Sequence, residues 1–161
     1  MVQRCYDEKF RHKWQSYVDC FVCDEWLNYQ TFADWYVKNY REDWQLDKDI
    51  LIKDNKIYSP ETCMFVPKEI NRVFIRNKSI RGEYPIGVTM SKKVTPRYHA
   101  ACCNEINKQT HIGTYDTPEE AFFAYKVFKE DVVKKLAERF KEQISSQLYS
   151  ILLSYEVAQD D

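Results

Sequence analysis

The chain has 161 residues, enough for one domain of ordinary size or two small ones, and its 24 basic and 25 acidic side chains leave a formal net charge of −1. This balance argues against a uniformly basic nucleic-acid protein, although not against a basic patch. No apolar run is long enough to span a membrane, and three glycines are too few for a glycine-rich phosphate loop, so no nucleotide cofactor is expected. The N-terminus lacks a secretory signal, so the six cysteines are expected to be cytosolic thiols or metal ligands.

Charge is distributed unevenly along the chain. Residues 45–80 carry a net charge of +2 and residues 81–112 carry +3, whereas residues 1–44 carry −2 and residues 113–161 carry −4. A contiguous basic stretch suits a surface that contacts phosphates. Asymmetry of this size also arises by chance in a short chain, so the charge pattern alone leaves both interpretations open.

The first half of the chain predicts an aromatic helix followed by short strands. Apolar residues recur at intervals of three and four over residues 24–40, which predicts a helix with a core-facing stripe. Apolar residues on both sides of the polar turn at 53–56 then predict a β-hairpin, and Ser59 before Pro60 predicts the start of a short helix. The stripe consists of Trp26, Tyr29, Phe32, Ala33, Tyr36 and Val37.

The second half predicts a small sheet and two helices. Thr117 followed by Pro118 predicts the N-terminus of a long helix that runs to about residue 140, because these residue types favour a helix cap and first turn. A last helix is expected around residues 144–157. Turn residues separate three short candidate strands, which are expected at residues 87–90, 98–105 and 110–115.

The predicted fold class is α+β, with the chain divided after residue 80. Residues 1–80 are expected to form a strand–strand–helix core preceded by the aromatic helix. Residues 81–161 are expected to form a three-stranded antiparallel sheet packed on the long helix, followed by the C-terminal helix.

Short motifs in both halves resemble known families. LDKD at 46–49 followed by YSPETC at 58–63 resembles the strand–turn–strand–helix core of HNH nucleases, in particular a phage-associated branch. Farther along, the chain resembles an APETALA2-type DNA-binding domain in three segments, which are IGV at 86–88, RYHAAC at 97–102 and HIGTYDTPEEAFFAYKVFK at 111–129. The order of the two regions, with the HNH-like core before the APETALA2-like sheet, is similar to the domain order in phage-encoded free-standing endonucleases. This resemblance implies a protein located in the cytoplasm of an infected bacterial host.

The HNH resemblance implies a DNA endonuclease or nickase that hydrolyses phosphodiesters with a divalent metal. By position, Asp47 takes the metal-binding place, Lys48 that of the general-base histidine, and Thr62 that of an asparagine. A lysine is protonated at neutral pH unless it is strongly buried, and it then cannot accept a proton from water. Asp49 is the candidate second ligand for Mg²⁺ or Mn²⁺, because residues 47 and 49 share one face of a strand. Slow metal-dependent cleavage and complete loss of catalysis both stay open.

The APETALA2-type resemblance implies a sheet that enters the major groove of double-stranded DNA. Arg97 is favoured for base contact, because it begins a predicted strand and its guanidinium matches guanine. Exposed cations also serve solubility, so they do not by themselves identify an interface. A third hypothesis is an anti-defence protein that binds and inhibits a host protein, which the near-neutral charge allows. The candidate DNA-binding residues are Arg81, Lys92, Lys93, Arg97, His99 and Lys108.

The cysteines of the first half offer a possible structural zinc site. Cys20 and Cys23 have knuckle spacing, and Cys5 and Cys63 are available as further ligands. Against this, the chain has no second CxxC pair, and Cys23 immediately precedes an aromatic helix in which a small buried thiol packs well. We therefore favour buried thiols over zinc.

Overall fold

The chain is an α+β protein that divides into two compact units, residues 1–68 and residues 69–161. The predicted boundary after residue 80 lies outside the described residues. None of the helices in the described part is long and apolar enough to cross a membrane. The computed structural model describes residues 1–13, 17–74, 83–91 and 95–159.

Unit 1 combines short helices with two small two-stranded sheets. Its elements are α1 (Val2–Tyr6), α2 (Glu8–Lys13), β1 (Phe21–Val22), α3 (Asp24–Leu27), α4 (Tyr29–Asn39), β2 (Trp44–Asp47), β3 (Ile57–Tyr58) and β4 (Met64–Pro67). Strand β1 pairs in parallel with β3, and β2 pairs antiparallel with β4. The core of unit 1 is rich in aromatic rings and thiols, and its buried members are Cys5, Cys20, Val22, Trp26, Tyr58 and Cys63.

The helix predicted over residues 24–40 is interrupted at Asn28. The side chain of Asn28 accepts hydrogen bonds from the backbone N–H groups of Gln30 and Thr31, so it caps a new helix instead of continuing the first. The predicted stripe is therefore partly wrong, since Tyr29 and Val37 are 81% and 79% exposed.

A residue outside the predicted stripe, Trp35, joins the aromatic core of unit 1. Its ring centroid lies 4.6 Å from that of Trp26 and 5.8 Å from that of Phe65. The predicted Trp26 is buried and Phe32 packs at its edge, with ring centroids 5.2 Å apart. Restarting the helix at Asn28 thus shifts the face that α4 turns to the core.

The predicted hairpin across residues 53–56 does not form. Strand β2 pairs with β4, and β3 pairs with β1, so the two segments that flank the turn belong to different sheets. The side chain of Asn55 closes the intervening loop by donating to the carbonyls of Lys48 (2.8 Å) and Ile57 (2.7 Å). These side-chain bonds replace the strand ladder that a hairpin would have made.

The short helix predicted at Ser59 and Pro60 is also wrong. Residues 60–62 form a turn, the chain then enters β4, and the helix begins only afterwards as α5 (Lys68–Phe74). The apolar sequence Phe65-Val66-Pro67 is buried as a strand. Burial of that run on the antiparallel partner β2 outweighs the local helix-start signal.

Unit 2 contains the predicted three-stranded sheet and its helices, which confirms this part of the fold. After α5 come β5 (Val88–Met90), β6 (Tyr98–Cys103), β7 (Gln109–Tyr115), α6 (Pro118–Phe140) and α7 (Ser146–Leu153). The sheet order is β5–β6–β7, with antiparallel pairs. The Thr117 hydroxyl accepts from the N–H of Glu120 and caps α6 as predicted.

Helix α6 packs across one face of the sheet. Val88, Ala100 and Cys102 are buried from the sheet side, and Phe122 and Tyr125 are buried from α6. Close approach is possible because Gly87 precedes β5. Its φ is +77°, and a β-carbon there would lie 2.0 Å from the ring of Tyr125. The helix therefore fixes the position of the sheet by covering one of its two faces.

Candidate functional site

The first candidate site is the loop after β2, which Asp47 organises. Oδ1 of Asp47 accepts hydrogen bonds from the backbone N–H groups of Asp49 (2.8 Å) and Ile50 (2.7 Å). Burial raises the pKa of Asp47, and the two backbone hydrogen bonds oppose this rise only in part. The carboxylate thus acts as the cap of a turn.

Lys48, in the place of the general base, is a buried structural cation. It is only 8% exposed. Its Nζ donates to the carboxylate of Asp49 and, at 2.7 Å, to the carbonyl of Asn55, and it lies 5.8 Å from the ring centroid of Tyr58. Buried charges persist in proteins when they are paired and hydrogen-bonded in this way. The lysine holds the loop closed with its donors directed at protein acceptors.

Thr62, in the place of an asparagine, has a similar local role. Its hydroxyl donates to the carbonyl of Ile57 at 2.7 Å and accepts from the N–H of Ser59 at 3.2 Å. Both bonds close the turn between β3 and β4. Three of the predicted catalytic residues, Asp47, Lys48 and Asp49, therefore lie together in the loop after β2, where Lys48 and Asp49 bind each other, whereas Thr62 lies in the turn between β3 and β4 and bonds to its own turn.

The predicted pair of metal ligands does not share a strand face. Strand β2 ends at Asp47, and the chain bends at residues 48–50 because the Asp47 carboxylate captures the N–H of Asp49. The Asp49 carboxylate is paired with Lys48. Within the described ranges, no group of three or more His, Cys, Asp or Glu side chains is arranged to hold a metal ion. In this arrangement the Asp49 carboxylate is bonded to Lys48 and the Asp47 carboxylate to two backbone N–H groups.

The cysteines of unit 1 contribute to its core. Cys5, Cys20 and Cys63 are buried, and Cys23 packs against the same cluster. Burial raises the pKa of Cys5, and it raises the pKa of Cys63 to about 11. Cys5 and Cys63 therefore pack as apolar groups in the core of unit 1.

The second candidate site is the side of the β5–β6–β7 sheet that points away from α6, which we call the outer face. Side chains alternate across a strand, so the neighbours of the buried Val88, Ala100 and Cys102 point outward. Thr89, His99 and Thr114 lie side by side in one row across the three strands. The outer face consists of Thr89, His99, Ala101, Cys103, Gln109, His111 and Thr114.

A β-bulge brings both histidines of unit 2 together on the outer face. Between Ala100 and Ala101 the pairing partner on β7 shifts from Gly113 to His111, so β7 contains one extra residue. His111 and Thr114 therefore share a face although they are three residues apart. Nδ1 of His99 lies 2.9 Å from Oγ1 of Thr114, and Nε2 of His111 lies 3.4 Å from the same oxygen.

Arg97 and Lys108 lie at opposite ends of β6. Arg97 immediately precedes the strand, and its Nη1 lies 3.1 Å from Oδ1 of Asp116, with both side chains largely exposed. Such an exposed ion pair is weak, so the guanidinium can exchange its partner. Lys108 is exposed in the turn between β6 and β7. The remaining candidates, Arg81, Lys92 and Lys93, lie outside the described residues.

Of the side chains on the outer face, sequence analysis proposed His99 and did not propose Thr89, Gln109, His111 or Thr114. Thr89 and Gln109 follow from strand alternation once the pairing is known. Alternation counted back from Thr114 places Ile112 outward, whereas Ile112 packs on the core side with α6. The bulge reverses the alternation, and the local signal for it is Gly113, because a glycine inside a strand often marks a bulge.

Comparison of this chain with protein-family models, with curated proteins and with solved structures finds no match. The α+β class therefore rests on the structure, and the HNH and APETALA2-type resemblance rests on the quoted motifs alone.

Proposed function

We propose that the protein binds double-stranded DNA through the outer face of the β5–β6–β7 sheet. The observation that carries this proposal is the composition of that face. Thr89, His99, Thr114 and His111 form a continuous group of hydrogen-bonding side chains that point away from the core. Side chains of these types contact base edges and phosphates in DNA complexes.

The dimensions of the sheet support a major-groove contact. A strand of six residues such as β6 is roughly 20 Å long, and the major groove is about 12 Å wide and admits a β-ribbon. Arg97 and Lys108, at the two ends of β6, are then spaced to reach phosphates on either side of the groove. Between them, uncharged polar side chains face the bases.

The Asp47 loop supports binding without cleavage as the main function. Asp47 and Lys48 make hydrogen bonds that close the loop after β2, and Thr62 makes hydrogen bonds that close the turn between β3 and β4. Their polar atoms are directed at backbone groups and, for Lys48, at the carboxylate of Asp49, which is the arrangement of structural loops. We therefore assign the HNH-like segment a structural part in the protein.

Fluorescence anisotropy with a labelled DNA duplex at several salt concentrations tests the binding proposal. Affinity should fall steeply with salt, because cations that contact phosphates release counterions. Arg97→Glu combined with Lys108→Glu should weaken binding more than tenfold, since each such contact is worth about 1–3 kcal/mol. Lys134→Glu with Arg139→Glu makes the same change in net charge on α6 and should have a much smaller effect.

Equal effects of the two charge reversals would place the DNA contact elsewhere than on the outer face. If the wild-type protein binds no duplex even at low salt, the proposal is wrong, and a host protein becomes the partner to seek.

Incubation of supercoiled plasmid with the protein and Mg²⁺ or Mn²⁺ tests the endonuclease alternative. We expect no nicking. Nicking that Asp47→Asn abolishes would instead establish the HNH-type activity that the motifs imply, because the amide keeps the loop hydrogen bonds but loses the charge that binds a metal.

A further inference from the structure

Thr114 links the two histidines of the outer face through a single hydroxyl. Its Oγ1 is 2.9 Å from Nδ1 of His99 and 3.4 Å from Nε2 of His111, and the two imidazole centroids are 5.6 Å apart. These three side chains come from adjacent strands, and the bulge after Ala100 brings them together. They form one hydrogen-bonded unit.

The number of hydrogens in this unit depends on protonation. A threonine hydroxyl has one hydrogen to donate and two lone pairs to accept with. When both imidazoles are neutral, the hydroxyl can donate to one ring nitrogen and accept from the other. When both rings are protonated, both nitrogens are donors, so Oγ1 accepts from both and the hydroxyl hydrogen is released to point outward. The unit then contains donors only and carries two positive charges.

A group of donors with positive charge suits an anion. We propose that the doubly protonated His99–Thr114–His111 unit binds a backbone phosphate of duplex DNA, so that DNA affinity rises as the pH falls. This inference rests on the proposed function and specifies how the outer face contacts its ligand. Binding is then coupled to the uptake of protons by His99 and His111.

His99 and His111 are the main side chains of the outer face whose charge depends on pH in the physiological range. Histidine is the side chain that ordinarily changes charge between pH 5 and 8. Beyond Thr114 lies the Arg97–Asp116 ion pair, and helix α6 covers the opposite face of the sheet. Toward the other end of the strands, the described titratable or charged groups are Cys103, whose thiol donates to Gln109, and then Glu105 and Lys108 in the β6–β7 turn.

This inference is tested by measuring the affinity of the 161-residue protein for a labelled duplex of randomised sequence at constant ionic strength. From pH about 8 to pH about 5.5, wild-type affinity should rise roughly tenfold, the size of one charge-assisted hydrogen bond. His99→Gln combined with His111→Gln should abolish this rise, and Thr114→Val should reduce it. His12→Gln, which removes the third histidine of the chain, should leave it unchanged.

A rise that persists in the double variant would overturn the inference while leaving the proposed function in place. Absence of duplex binding at every pH would overturn the proposed function itself.

A second measurement on the wild-type protein does not depend on the folding of any variant. In NMR titrations, the midpoints of His99 and His111 should move to higher pH when duplex is added, and the midpoint of His12 should not. Unmoved midpoints in a protein that binds the duplex would also overturn the inference.

Discussion

The Asp47 loop of unit 1 and the outer face of unit 2 use similar polar side chains in opposite ways. In the loop, Lys48 is 8% exposed and its amine is bonded to Asp49 and to the carbonyl of Asn55. At the outer face, by contrast, the cation Arg97 is exposed and pairs with the exposed carboxylate of Asp116. The loop side chains stabilise their own unit, whereas the sheet side chains are available to a ligand.

This difference predicts that substitutions of similar side chains have different effects in the two regions. Removal of a buried, paired charge leaves its partners unsatisfied and is costly, whereas removal of an exposed one costs little stability. Substitutions in the two regions should therefore affect different measurements. Loop variants should change stability, and outer-face variants should change DNA affinity.

The largest effect is expected for Lys48→Met. Methionine preserves much of the volume of the side chain but removes the donor, which leaves the Asn55 carbonyl without this bond. We expect a loss of about 2–3 kcal/mol in the free energy of unfolding, as for a buried hydrogen bond to a charged group. Urea denaturation measures it. Lys56→Met removes an exposed lysine of the same loop and should change stability by less than about 0.5 kcal/mol. Equal effects would contradict a structural role for Lys48.

A smaller effect is expected for Asp47→Ala. The backbone N–H groups of Asp49 and Ile50 lose their acceptor, so the free energy of unfolding should fall by about 1–2 kcal/mol at neutral pH. Asp47→Asn keeps an acceptor oxygen and should be the more stable of the two variants. A ranking with the alanine variant above the asparagine variant would show that the turn does not depend on this cap.

The same residue predicts a pH dependence with a definite sign. Burial raises the pKa of Asp47, so the folded state favours its protonated form. This contribution to stability is fully present below the pKa of the unfolded chain, about 4, and is lost as the pH rises through the folded-state pKa. Asp47→Asn lacks it. The stability of the wild-type protein relative to this variant should therefore decline from pH about 4 upward, as measured by thermal denaturation across the pH range.

The smallest effect is expected for Asp116→Asn on the outer face. The change releases Arg97 from its ion pair and removes a negative charge that would repel phosphate. DNA affinity should increase about threefold, in keeping with the low energy of exposed ion pairs, while the unfolding midpoint stays close to that of the wild type. Glu142→Gln, at an exposed position beyond the end of α6, removes the same charge away from the sheet and is the control. Equal gains in both variants would indicate a general charge effect.

Sequence analysis predicted unit 2 better than unit 1, and the reason lies in the range of the interactions. Each strand of the sheet is joined to the next in chain order, and α6 begins with a local cap at Thr117. In unit 1, β2 pairs with β4 and β3 pairs with β1, which are separated in the chain. The interruption at Asn28 is also local, but an asparagine within an apolar pattern is compatible with both a helix interior and a cap.

The sequence by itself determined the α+β class, the three strands and capped helix of unit 2, and the candidate residues His99, Arg97 and Lys108. Alternation, turn residues and capping residues act over a few positions, so they can be read locally. Only the tertiary structure decided that Lys48 is buried and that the bulge after Ala100 brings His111 to Thr114. These features depend on which distant segments pair and on how one extra residue shifts a strand, and tertiary packing fixes both.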